Sequence, residues 1–130
     1  MIVLDASLGV ELVRNTPEGQ AGLRRLLEES RPYHVPHLFD LEITQALRRL
    51  VLAGRLNPAD GAAALRALSL LPLRRHAHRP LLDRVWELRD TVTAYDASYV
   101  ALAEALGATL LTRDARLAGA PGVRAAVKLM

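Results

Sequence analysis

The sequence predicts an α/β fold, a three-layer α/β/α sandwich around a mostly parallel central sheet, with residues 1–130 as one domain. Three observations carry this expectation. Short apolar runs alternate with longer stretches of helical period along the whole chain, the pattern of successive βαβ units. Apolar residues make up 51% of the chain, and Phe occurs only once, so Leu, Ala and Val must supply a core that 130 residues can bury without staples. No internal repeat, linker or low-complexity segment divides the sequence.

The elements follow in order. "MIVLD" (1–5) is a strand candidate, and "SLGVELVR" and "EGQAGLRRLLEES" follow as helices, the second after Pro17. "YHV" (33–35) is a short strand. "PHLFDLEITQALRRLVLAG" is the clearest helix, with Pro36 at its first turn and Gly54 at its end. "NPADGAAALRALSL" opens on an Asn-Pro helix start. "LPLRRH" (71–76) is a strand candidate and "RPLLDRVWELRDTV" a helix, with Trp86 expected to pack beside Leu82 and Val85. "YDASYVALAEALG" is helical, and "ATLLT" (108–112) and "AAVKL" (125–129) are the last two strands.

Composition narrows the chemistry. The absence of cysteine removes disulfides, thiol catalysis and cysteine-based zinc sites, and fits a reducing cytoplasm. No apolar run is long enough to span a bilayer, and Asp5 interrupts the first one, so neither a membrane anchor nor a signal peptide is expected. Of 17 basic residues 16 are Arg, against 14 acids. Arginine suits bidentate contact with phosphate, which gives modest support to a nucleic-acid partner.

Four acids converge on one edge. In a parallel α/β sheet the carboxyl ends of strands and the amino ends of the following helices share an edge, where ligands bind. Connectivity alone brings Asp5 from the first strand, Asp96 from a helix start and Asp114 from beyond the fourth strand to that edge. Glu42 lies about a turn and a half into its helix, on the flank of the face formed by Phe39, Ile43, Ala46 and Leu50, and reaches the same edge. Asp40 points away. Taken singly, Asp5, Asp96, Asp114 and Ser7 read equally well as helix N-caps, and Glu42 as a dipole partner or an ion pair with Arg49.

Taken together they read differently. Two carboxylates about 5 Å apart repel by ~3 kcal/mol at an effective dielectric of ~20, so four in one crevice call for a counter-ion. Oxygen donors without cysteine suit a hard cation, Mg²⁺ or Mn²⁺, which leaves positions for phosphate oxygens and activates water. Acids and arginines together point to metal-dependent hydrolysis of phosphodiesters.

The segments "IVLDAS", "VPHLFDLEITQALRRL" and "TAYDASYVALAEALGATLLTRDARLA", in this order, resemble the PIN domain and, more closely, the VapC-type toxins of type II toxin–antitoxin pairs. The resemblance spans essentially the whole chain. It implies a single-domain α/β/α ribonuclease, a homodimer, and a cognate VapB-like antitoxin whose tail covers the crevice. It marks Asp5, Glu42, Asp96 and Asp114 as an acidic quartet that binds Mg²⁺ or Mn²⁺, with Thr112 as a small hydroxyl that orients the site. Gln45 departs from the Asn often found three residues after the helical Glu.

Other features are weighed beside these. Arg113 and Arg116 adjoin Asp114, and Arg48 and Arg49 follow Glu42, so these four are candidate RNA-backbone contacts. The histidines of "HVPH" and "HAH" (His34, His37, His76, His78) lack the ligand count of a zinc site and read as structural. Tyr33, Tyr95, Tyr99 and Trp86 form no alternating stacking platform. The competing function is a catalytically idle domain that binds RNA or protein. A phosphoacceptor signalling domain is disfavoured, because Asp60 and Lys128 fit neither of the positions it requires.

Overall fold

Each apolar run becomes a strand of one five-stranded parallel sheet. The computed structural model describes residues 1–130. The strands are β1 (Ile2–Leu4), β2 (Tyr33–Pro36), β3 (Leu73–His76), β4 (Thr109–Thr112) and β5 (Val127–Leu129), in the spatial order β3-β2-β1-β4-β5. The central register pairs Val3 with His34 on one side and with Leu110 on the other. Val3, Val35 and Leu110 are fully buried, as strands covered on both faces require.

The helices divide between the two faces by handedness. Right-handed crossovers that step from β1 to β2 to β3 lie on one face, and those that step back from β3 to β4 to β5 lie on the other. The first group is α1 (Ala6–Val13), α2 (Pro17–Glu28), α3 (Phe39–Leu52) and α4 (Pro58–Leu70). The second is α5 (Leu82–Glu87), α6 (Ala94–Leu106) and α7 (Ala115–Ala118), with a 3-10 turn at Arg79–Leu81 ahead of α5. Packing agrees: α1 lies against α2, α3 and α4, whereas α6 covers β1, β2 and β4. The order reverses at β1, so the β1–β4 junction is the switch point where such sheets open a crevice.

Two details position the crevice. Helix α6 is buried continuously from Ala97 to Ala103, and its small residues seat it on the sheet; Gly107, at φ 59°, closes it with a left-handed cap. On the other face α1 and α3 meet at Gly9. A methyl group there would fall 2.5 Å from Phe39 Cζ and 2.7 Å from Ile43 Cδ1, so glycine lets the two helices approach closely. No helix is long and apolar enough to cross a membrane.

Three expectations change. Pro36 closes β2 instead of opening a helix, and α3 starts at Phe39, which places Glu42 in its first turn. The predicted helix across 79–92 shortens to Leu82–Glu87. Trp86 does not pack in the core: it is 68% exposed, with the Arg89 guanidinium 4.8 Å from its ring centre. Val85 and Leu88, three residues apart, take the buried side, and Trp86 shares the outward side with Leu82, itself 50% exposed.

Candidate active site

Asp5 follows directly on β1, and its backbone N–H still donates to Leu111 O of β4, at 3.0 Å. Its carboxylate caps α1 by accepting from the Ser7 N–H at 2.7 Å, while its other oxygen accepts from the Thr112 hydroxyl. Thr112 is completely buried, and its hydroxyl also accepts from the Asp114 N–H at 3.0 Å. Ser7 Oγ accepts from the Arg113 N–H at 3.1 Å. The ends of β1 and β4 are thereby braced twice, through Thr112 and through Ser7. The N-cap reading of Asp5 is correct, and it is compatible with a second role because a carboxylate has about four acceptor positions.

Asp114 caps the short α7 through the Arg116 N–H at 2.9 Å and receives the Arg116 guanidinium at 3.2 Å. That guanidinium holds the Asp114 carboxyl below its ordinary value. Asp96 differs. Thr93, not Asp96, caps α6, its hydroxyl accepting from the Asp96 N–H at 3.1 Å, which leaves the Asp96 carboxylate in the first turn and free of any ion pair. Burial, then the charges of Asp5 and Asp114, raise its pKa.

Glu42 projects from the first turn of α3, where the helix dipole favours a carboxylate. It makes no ion pair with Arg49, and its Oε1 is buried without any hydrogen-bond partner. Burial is the main force that pushes its carboxyl up to about 7; the nearby Tyr99 hydroxyl opposes this, and the charges of Asp96 and Asp5 add to it. The four acids therefore sense one another across the switch point, but unequally. Asp5 and Asp114 are satisfied by local donors, whereas at Asp96 and Glu42 burial outweighs the stabilisation their neighbours offer. As the side chains lie, no three Asp, Glu or His groups are gathered closely enough to hold an ion, and like-charge repulsion opposes closer approach.

Of the arginines, Arg116 and Arg113 sit at the rim. Arg113 pairs with Glu11 of α1 at 2.9 Å. Arg48 and Arg49 are exposed on α3 one to two turns beyond Glu42, toward the opposite edge, and the fold does not bring them to the acids. Exposed Gln45 likewise lies outside the cluster. The histidines join across the two motifs, not within either: His34 Nδ1 and His76 Nε2 are 2.9 Å apart on neighbouring strands, a structural contact of β2 with β3. Sequence reasoning passed over Tyr99. It lies three residues after Asp96, on the same face of α6, and that spacing was the available signal.

A three-layer α/β domain with an all-carboxylate site at the switch point of a parallel sheet is the class that fold and site define. The donor set fits a hard divalent cation, since every candidate ligand is an oxygen and one buried carboxylate oxygen lacks any partner. The chain belongs to the PIN domain family, whose sequence model matches residues 2–123. It is 49% identical over 117 residues to a VapC ribonuclease of Mycobacterium bovis, covering 90% of this chain and 88% of that protein. It is 45% identical over 129 residues to Ribonuclease VapC1 of Mycobacterium tuberculosis, covering 98% and 96%. The fold also matches VapBC2 from Rickettsia felis, solved bound to a DNA fragment from its promoter, with a TM-score of 0.70, 15% identity and coverage of 99% and 98%.

Proposed function

We propose that this chain is an endoribonuclease of the VapC type, which hydrolyses RNA phosphodiester bonds with Mg²⁺ or Mn²⁺. The observation that carries the reading is Glu42: a partly buried carboxylate with an unpartnered oxygen, facing the charges of Asp5 and Asp96. A purely structural helix has no use for such a group. The ribonuclease names of relatives at 49% and 45% identity support the same conclusion.

In this reading Asp5, Asp96, Asp114 and Glu42 hold the cation, directly or through water. The bound cation supplies charge neutralisation at the phosphate and a more acidic water. Glu42 either joins that coordination or, standing off the cation, accepts the proton of the attacking water. Thr112 and Ser7 fix the direction of Asp5. Arg116 and Arg113 at the rim suit the RNA backbone, whereas Arg48 and Arg49 suit only a longer backbone path. The chain acts as the toxin of a pair, in the cytoplasm, as a homodimer neutralised by a VapB-like antitoxin.

The test is Asp96→Asn and Asp5→Asn in purified, folded protein, assayed on RNA with Mg²⁺ or Mn²⁺. A loss of cleavage of about 100-fold or more is expected. Wild-type cleavage by either variant would remove that residue from the site. RNA binding without cleavage by the wild type would instead favour the idle binding domain.

A further inference from the structure

Tyr99 is 1% exposed, and its hydroxyl, like Glu42 Oε1, is buried without a hydrogen-bond partner. Packing alone does not account for the hydroxyl, since phenylalanine would fill the same space without burying an unsatisfied polar atom. Its position is specific. Asp96 and Tyr99 are three apart on α6 and share a face, so the phenol enters the site from the same side as Asp96. Glu42 enters from α3, in the opposite helical layer.

The two unpartnered groups are chemically complementary. The phenol lies close enough to Glu42 to favour its ionised form, although the two stop short of hydrogen-bond geometry. A carboxylate that holds a divalent cation is ionised and only accepts, whereas a phenol is protonated in the neutral range and can donate. We propose that Tyr99 is a positioning residue: its hydroxyl donates to the Glu42 carboxylate and orients it toward Asp5 and Asp96 for a divalent cation. This rests on the reading of the site given above. It adds a donor from α6 that selects the Glu42 rotamer, and it explains why the core holds a tyrosine here.

The experiment compares wild type, Tyr99→Phe, Glu42→Gln and the double variant in the full chain, with Mn²⁺ alone as probe. Calorimetric Mn²⁺ titration is expected to show affinity about 10-fold weaker for Tyr99→Phe, the loss of one charge-assisted hydrogen bond. The same substitution has less effect when Glu42→Gln is already present. Metal-free unfolding of Tyr99→Phe is expected at or above the wild-type midpoint, because no hydrogen bond is lost, whereas a purely structural hydroxyl would lower it. RNA cleavage falls in kcat with KM unchanged. Wild-type Mn²⁺ affinity in Tyr99→Phe, or a loss of metal-free stability, overturns the role of Tyr99 alone. Failure of the wild type to bind Mn²⁺ overturns the metal site and this inference with it.

Discussion

The Thr112 hydroxyl donates to Asp5 across the β1–β4 junction while accepting from the Asp114 backbone N–H, so one buried oxygen sets the positions of two candidate ligands. Thr112→Val keeps the shape and removes both bonds. It leaves an acceptor of Asp5 and the Asp114 N–H unpaired, and is expected to destabilise the protein by about 1–3 kcal/mol and to weaken Mn²⁺-dependent cleavage. Thr112→Ser should recover most of both. Urea unfolding and RNA cleavage of the two variants check this, and equal loss in Ser and Val would show that the methyl group, not the hydroxyl, matters.

Asp96 has no ion pair and a raised pKa, so its charge opposes folding instead of supporting it. Asp96→Asn preserves volume and is expected to leave metal-free stability equal or slightly increased while cleavage collapses. That opposition of stability and activity is the mark of a functional carboxylate. A clear drop in the unfolding midpoint without Mn²⁺ would argue that Asp96 is structural.

Glu42 gives a pH dependence whose sign is opposite to that of most carboxylates. Its folded pKa is raised from 4.5 to about 7, so the folded state retains a proton that the unfolded state has released. Metal-free stability is therefore expected to decline as pH rises from 4.5 through about 7, by at most on the order of 3 kcal/mol from this group. Asp96 acts in the same direction from a lower starting value. Urea unfolding across this range in wild type and Glu42→Gln isolates the effect: the variant curve should be flatter, and parallel curves would remove Glu42 as its source.

The close approach of α1 and α3 predicts a different defect. In Gly9→Ala the added methyl meets Phe39 and Ile43, both fully buried, and cannot escape by rotating to solvent. Overpacking of this kind is expected to destabilise by about 1–3 kcal/mol and to shift the first turn of α3, which carries Glu42. Thermal unfolding measures the first effect and Mn²⁺ titration the second.

Much of this architecture is written in local pattern. Alternation of apolar runs with helical stretches marks all five strands, and parallel connectivity alone assigns Asp5, Asp96 and Asp114 to one edge. What escaped depends on contacts remote in sequence. The position of Trp86 near Leu82 and Val85 predicts packing, but only Val85 of the two is buried, and Trp86 shares the exposed side of α5 with Leu82. Pro36 was compatible with a helix start, but its pairing with His76 of β3 holds it in the sheet. The spacing of Tyr99 from Asp96 places it on the site's face of α6, but the proximity of Glu42, which comes from α3 in the other layer, is not legible in the sequence. The inequality within the acidic quartet was hidden for the same reason: the donors that satisfy Asp5 come partly from β4.

Arg116 separates two roles that the rim arginines share on inspection. Its side chain is 90% exposed yet bidentate on Asp114, so it either tunes that carboxylate or waits for the RNA backbone. Arg116→Ala removes both possibilities, and Arg116→Lys retains charge without the planar fork. If Arg116 serves RNA, the alanine variant binds RNA more weakly with a salt slope smaller by about 1, Lys restores most of the slope, and Mn²⁺ affinity hardly changes. If it serves Asp114 instead, the salt slope stays at the wild-type value while Mn²⁺ affinity rises, because a competing cation has left the carboxylate. The exchange of Arg116 between Asp114 and phosphate predicts the first pattern, since a contact so exposed is worth little to folding and is readily surrendered to a substrate.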